Sequence, residues 1–352
     1  MQDARHGLQV VEGKGERVRN VSITAIEEEL PGDVVGDAAL AVEFGMDAAA
    51  VARWSRGQPR YESPDGVGPA ALAARAGARA LASRGLAASD IDMVVFATNT
   101  PDMFFPGSAC LLQAALACRT VGGLDVRSQC TGFLTAIDVS RRFVATGMFD
   151  RVLVAAADTP SHFNARDGRT PELSCTMGDA AAVVLLEAGS GPGEILAVDV
   201  RNDGSRHRDF WCEFPASRFR EGTTLPERNR LPADKAAEGR HFPSADLDRL
   251  RDFALEKLPP LFASALARAG VDAVDVTFVA HLDPRVEGEL PALLGRPAGR
   301  IEVPDTLFSG GSALPVLMAR ARRAGRVTSG QTAALVTAGS GASWGCGVVR
   351  IP

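Results

Sequence analysis

No CxxC pair and no zinc-ligand spacing occur among the six cysteines of this 352-residue chain (positions 110, 118, 130, 175, 212 and 346). That excludes a zinc ribbon and a thioredoxin-like redox motif. Cysteines this sparse do not make a disulfide scaffold, and they read as reduced thiols of a cytoplasmic protein. No apolar run reaches the roughly 18 residues of a membrane span. Met1 to Arg19 is charged and lacks the apolar core of a signal peptide. The net charge of −5 provides no basic face for nucleic acid. Tyrosine occurs once, at Tyr61, so the 46% hydrophobic content rests on Ala, Val and Leu.

That content is ample for a core. The length fits two domain-sized halves or one large α/β unit. Val18 to Ile26 alternates like a strand. Gly68 to Gly85 is Ala-rich and helical. Ile91 to Ala97 and Arg151 to Ala157 are nearly continuous apolar strands, as in a sheet buried on both faces. Ser108 to Cys118 and Phe133 to Thr146 read as helices, with strand Gly122 to Val126 between them. Ala180 to Glu187 and Glu194 to Val200 look like a β-pair. The polar stretch from Asn202 to Pro243 reads as a surface excursion or a substrate lid. Leu247 to Ala269 is a long helix that Pro259-Pro260 should disturb. Strand Val276 to His281, helix Val286 to Leu294, strand Arg300 to Val303, helix Ala313 to Ala324, strand Ala333 to Thr337 and strand Ser343 to Ile351 follow.

Two stretches repeat in the same order. Leu81, Gly85, Asp90 and Val94 meet Leu266, Gly270, Asp275 and Val279 at one constant offset. The helix before Arg151-Val-Leu-Val is matched by the helix before Ala333-Ala-Leu-Val. An internal duplication explains both. The chain then divides into residues 1–190 and 191–352, two α/β halves with mostly parallel sheets. A site is expected where the halves meet, at the ends of central strands.

Cys130 lies in Leu124-Asp-Val-Arg-Ser-Gln-Cys-Thr-Gly-Phe-Leu, at a strand-to-helix turn. The helix dipole there favours the nucleophilic thiolate, and Gly132 leaves room for a substrate. The competing reading is a buried structural cysteine. At the duplication's constant offset Phe96 matches His281, which closes an apolar strand. His281 could serve a thiol as general base or hydrogen-bond donor, or simply be a core histidine. His6, His162, His207 and His241 sit in polar, irregular stretches. Gly339-Ser-Gly-Ala-Ser-Trp-Gly could present backbone N–H groups to a reacting carbonyl, or form a tight β-turn. Gly178-Asp-Ala-Ala-Ala suggests close packing near the site. Asp283 and Asp305 could orient His281, although Asp283 before Pro284 is more simply a helix N-cap.

Together these residues resemble the thiolase superfamily, and within it the ketoacyl-acyl-carrier-protein synthase III type. Thr100-Pro-Asp-Met-Phe-Phe-Pro-Gly-Ser-Ala-Cys, Gln129-Cys-Thr-Gly-Phe, Met177-Gly-Asp-Ala-Ala-Ala and Ala338-Gly-Ser-Gly-Ala-Ser-Trp-Gly carry the resemblance. It implies a five-layered α-β-α-β-α fold and a homodimer. It implies that Cys130 takes an acyl group from a coenzyme A or acyl-carrier-protein thioester. The backbone N–H groups of Cys130 and Ser340 would form the oxyanion hole, and His281 would match the family's catalytic histidine. No metal or redox cofactor is implied.

The departures are specific. The family's Asn, which works with the His in decarboxylating the malonyl extender, corresponds to Phe308, and a phenyl ring donates no hydrogen bond. Leu282-Asp-Pro-Arg is one residue shorter than the family's stretch after the histidine. Trp54, Arg56 and Arg285 are the nearest matches to the residues that hold coenzyme A, and Arg169 is displaced. The first expectation is condensation with a malonyl-type thioester. The alternatives are acyl transfer without decarboxylation to an alcohol, amine or carrier thiol, and a catalytically weak partner subunit.

Overall fold

The computed structural model describes residues 18–165, 170–213, 242–307 and 310–352. In the first half, strand β1 (Val21–Glu29) precedes a short ladder of β2 (Asp33–Val35) and β3 (Arg60–Glu62). Helices α1 (Asp37–Phe44) and α2 (Ala48–Ser55) lie between β2 and β3. Then come α3 (Pro69–Ser83), β4 (Met93–Ala97), α4 (Ser108–Ala115), β5 (Gly122–Val126), α5 (Gly132–Ala145), β6 (Arg151–Asp158), the single turn α6 (Pro171–Ser174) and β7 (Ala180–Ala188). The second half holds β8 (Ile195–Asn202), the short β9 (Phe210–Trp211) and β10 (Ser244–Ala245), and α7 (Leu247–Ala269). It closes with β11 (Val276–Ala280), α8 (Pro284–Leu294), β12 (Arg300–Glu302), α9 (Ala313–Arg323), β13 (Thr332–Gly339) and β14 (Ser343–Arg350).

The duplication is visible in the sheets. One runs β1-β7-β6-β4-β5, the other β8-β14-β13-β11-β12. Directions match too: the first three strands of each run antiparallel and the last three parallel. Successive strand residues face opposite sides, so each sheet feeds two helical layers. Phe133, Leu134 and Ile137 of α5 and Leu314, Leu317 and Met318 of α9 fill the space between the sheets. They pack on Val95, Val154 and Val184 from one side and Phe278, Leu335 and Val349 from the other. Leu72 and Ala76 of α3 and Leu112 of α4 cover the outer face of the first sheet. Leu258 and Phe262 of α7 and Leu290 of α8 cover that of the second. The result is the expected α-β-α-β-α stack. Among the described residues no helix is long and apolar enough to cross a membrane.

Three expectations are corrected. β7 and β8 do not pair. β7 lies between β1 and β6, and β8 pairs with β14 in the other sheet. The link between them, with Gly191 and Gly193 at positive φ, carries the chain from one sheet to the next. The division expected after residue 190 falls in this link. Secondly, α7 continues through Pro259 and Pro260. Its face of Leu250, Ala254, Leu258, Leu261, Phe262 and Ala265 is buried, and that packing offsets the lost hydrogen bonds. Thirdly, the partner of His281 under the duplication is Thr98, not Phe96. Met93 pairs with the second residue of β6, and Val276 with the second residue of β13. From these equivalent rungs Phe96 matches Val279, inside the strand, and His281 matches Thr98, just past it. The constant offset fails because the link after Gly85 is two residues longer than the link after Gly270. Of the excursion from Asn202 to Pro243, residues 214–241 lie outside the described residues, as do His6, His241, Arg169 and Phe308.

Candidate active site

β4 ends beside Gly132 and β13 ends against Cys130 itself, so carboxyl ends of parallel strands from both halves meet at this turn. This is the position at which open α/β sheets place reactive side chains. Cys130 sits in a 3-10 turn, Gln129–Thr131, directly before α5. Gln129 has φ 52°, in the left-handed region that favours glycine. Such strain at a non-glycine residue marks a turn held for what it aims. Gly132 faces Ala97 and Gly311, so a side chain there would press on both loops.

Gly339 ends β13, and a Cβ on it would collide with the Cys130 sulfur. Here the missing side chain is a steric requirement of the Cys130 thiol. The segment is also the turn of the β13–β14 hairpin, with Gly339 paired to Ser343, as the tight-turn reading has it. The backbone N–H groups of Ser340 and Cys130 lie against Sγ and favour its charge. Ser340 is fixed in turn by its hydroxyl, which donates to the Phe210 carbonyl at 2.6 Å. Burial acts the other way and is the larger effect, pushing the thiol up to about 11, with the nearby Asp158 charge adding to it. A helix N-terminus contributes up to about 2 kcal/mol, roughly 1.5 pK units. The free thiol therefore stays protonated near neutral pH. Burial outweighs the dipole on which the thiolate expectation rested.

His281 follows β11, and the Thr337 hydroxyl donates to the neighbouring Ala280 carbonyl at 2.9 Å, locking the strand ends. The backbone N–H of Asp283 donates to His281 Nδ1 at 2.9 Å. The Asp283 carbonyl is 3.3 Å from the same nitrogen. Donation to that carbonyl would set an Nδ1 proton against the Asp283 N–H proton, so the shorter bond fixes Nδ1 as an acceptor. Neutral His281 then carries its proton on Nε2. That atom is buried and has no partner among the described residues. Burial lowers the imidazole to about 4, so the ring is neutral at pH 5 to 8.

The expected orienting acids are engaged elsewhere. Asp283 caps α8 through Arg285 N and grips the Arg285 guanidinium, and only its backbone reaches His281. Asp305 pairs with Arg320 and Arg326, and the described residues show no hydrogen bond from it to His281. Arg285 is held by Asp283 and Asp248. Arg56 pairs with Glu287 of α8 at 3.1 Å, bridging the halves, and Trp54 of α2 packs, partly buried, against the cluster of Leu40, Phe44, Val51 and Cys175. Gly178 abuts the Leu307 carbonyl and Arg60, as close packing near the site requires.

Sequence reasoning missed three groups. Asp158 ends β6 and is buried. It accepts from Asn99 N at 2.7 Å, Thr98 Oγ1 at 3.3 Å and Ser312 N at 3.4 Å, so it ties loops of both halves together. Burial raises it to about 6. A carboxyl closing the apolar run Ala155-Ala-Ala-Asp was the available signal. Glu287 is also buried, which lifts it to about 7, and it accepts from the His281 backbone. It left no signal beyond helical spacing. Asn99 lies two residues beyond β4, and among the described residues its side chain carries no hydrogen bond. Among the described residues no group of His, Cys, Asp and Glu is arranged to hold a metal ion.

Duplicated halves in five layers, with a cysteine at the central helix and a histidine at the mirrored strand end, define a thiolase-fold protein. Residues 124–204 match the model of the 3-oxoacyl-[acyl-carrier-protein] synthase III family. The β-ketoacyl-[acyl-carrier-protein] synthase III of Synechococcus elongatus is 31% identical over 84% of this chain and 85% of its own length. The protein of that name from Rhodobacter capsulatus is 29% identical over 93% of this chain and 98% of its own. The solved 3-oxoacyl-(acyl carrier protein) synthase III of Pseudomonas aeruginosa superposes with a TM-score of 0.81 at 25% identity, covering 95% of this chain and 99% of its own. The chain belongs to the β-ketoacyl-acyl-carrier-protein synthase III family.

Proposed function

We propose that this chain loads an acyl group from an acyl-CoA or acyl-carrier-protein thioester onto Cys130 and condenses it with a malonyl-type thioester. In the first half-reaction the Cys130 sulfur attacks the donor carbonyl. The backbone N–H groups of Cys130 and Ser340 stabilise the oxyanion, the carbon–sulfur bond to the donor breaks, and the donor thiol leaves with the cysteine proton. In the second, the extender's carboxylate leaves as carbon dioxide. The electron pair of the broken carbon–carbon bond forms an enolate on the thioester oxygen. The enolate carbon attacks the acyl-cysteine carbonyl, and Cys130 departs as thiolate and takes a proton from solvent.

The observation that carries this reading is the unpartnered Nε2–H of His281. A buried donor with no acceptor is costly unless a substrate supplies one. An enolate oxygen is such an acceptor. Acyl transfer to an alcohol needs a base instead, and neutral His281 with Nδ1 already accepting has no free lone pair on Nε2. The test is intact-mass analysis for an acyl adduct on Cys130, followed by carbon dioxide release on adding a malonyl thioester.

A homodimer belongs to the same proposal. β5 is an edge strand with exposed glycines 122 and 123, and an open edge invites pairing. In the loop between β4 and α4 stand Met103, Phe104 and Phe105, 45%, 69% and 78% exposed. Light scattering is expected to give twice the mass of one chain. Phe105→Asp should shift it toward monomer, and a wild-type monomer at micromolar concentration would refute the dimer.

A further inference from the structure

The family's second donor to the extender is an Asn, and this sequence has Phe308 there. A single hydrogen bond from His281 would leave the enolate oxygen one donor short of the family's pair. The loop after β4 offers a replacement. Asn99 is partly buried, and among the described residues neither the nitrogen nor the oxygen of its carboxamide makes a hydrogen bond. Neither atom is sealed from solvent, so the carboxamide is open to a substrate.

Three observations aim it at the reacting centre. First, Thr98 is the duplication mate of His281, so the loop carrying Asn99 reaches the centre from the first half as the His281 loop does from the second. Second, Asp158 pins it: Asn99 N donates to that buried carboxylate at 2.7 Å, and Asp158 is close enough to Cys130 for its charge to be felt at the thiol. Third, Gly310 stands beside both groups: a Cβ there would collide with the Asp158 carboxylate and would stand 3.2 Å from Asn99 Nδ2, and Gly310 has φ 80°. The next residue, Gly311, lies against the Gln129 carbonyl and Gly132 on either side of Cys130. Asn99 Nδ2 thus lies beside Gly310, one residue away from the wall of the Cys130 turn.

We propose that the Asn99 carboxamide is the second hydrogen-bond donor to the extender's enolate, acting beside His281 Nε2–H from the opposite half. The proposal rests on the condensing reading above. It makes Asn99 a catalytic residue of the second half-reaction only. The proton stays on Nδ2 throughout, and the negative charge gathers on the thioester oxygen while carbon dioxide leaves.

The test separates the half-reactions in full-length wild type, Asn99→Ala and Asn99→Asp. Acylation of Cys130 is timed by intact mass with a panel of acyl-CoAs. Carbon dioxide release from malonyl-CoA and from malonyl-carrier protein is then measured on the acylated enzyme. Removing one preorganised donor costs about 100-fold. Release should therefore fall about 100-fold in both variants, while acylation changes less than about threefold. Asn99→Asp keeps the shape and loses the donor, so a purely structural role predicts that Asp retains release. That result, or release within threefold of wild type in both variants, overturns the proposal. So does a selective loss of acylation with polar acyl groups, which would assign Asn99 to acyl recognition. Absence of release in wild type refutes the condensing reading instead, and the two failures are distinct.

Discussion

His281→Ala is expected to leave acylation of Cys130 within a few-fold of wild type and to lower carbon dioxide release about 100-fold or more. The separation follows from the tautomer. Nδ1 accepts the Asp283 N–H, so Nε2 can donate to an oxyanion but cannot take the thiol's proton. A general-base histidine would instead lose both half-reactions together. The same geometry has a spectroscopic signature: the His281 ring should appear in nitrogen-15 spectra as the Nε2–H form. It should stay neutral well below pH 6, since burial lowers it to about 4. An unfolded chain protonates this residue near 6.5. Its contribution to stability is thus complete above that pH and is lost as pH falls toward 4. A rate inflection near pH 6 that persists in His281→Ala belongs to Asp158, which burial raises to about 6.

Gly339→Ala should abolish acylation while leaving the fold intact. Gly339 has no positive φ, so alanine meets no backbone objection there. What it meets is the Cys130 sulfur. Either the thiol turns away or the hairpin of β13 and β14 shifts and carries the Ser340 N–H with it. Misplacement by about 1 Å costs on the order of 100-fold, and here nucleophile and oxyanion donor would both move. Gly288→Ala is the control, since a Cβ on that residue of α8 meets nothing within 4 Å. Thiol alkylation and acyl loading should fall in the first variant and not in the second. Loading by Gly339→Ala at a wild-type rate would mean that the sulfur does not work where it rests.

Much of this was legible in the chain. β5 begins and ends where its residues say, and the strands β4 and β6 announce burial on both faces by unbroken apolar runs. The Cys130 turn and the glycine hairpin were visible because small residues between strand and helix have few other uses. Long-range choices were not visible. β7 and β8 are consecutive and both apolar, yet they serve different sheets, and local pattern carries no information on which partner lies across a layer. The role of His281 was undecidable for a similar reason: one backbone N–H two residues on chooses its tautomer, and no residue type encodes that. Asp158 and Glu287 act through burial, which comes only with the packed core. Asn99 acquires meaning only once Gly310 and Asp158 fold around it.

The most direct measurement is the mass of Cys130 through one catalytic cycle. Incubated with acyl-CoAs, the protein should gain one acyl mass on the peptide containing Cys130. Adding a malonyl thioester should discharge it with one carbon dioxide released per acyl group and a β-keto thioester formed. An adduct discharged only by alcohols, amines or thiols, without carbon dioxide, would contradict the condensing assignment. No adduct on Cys130 with any donor would contradict acyl-thioester chemistry at this site altogether.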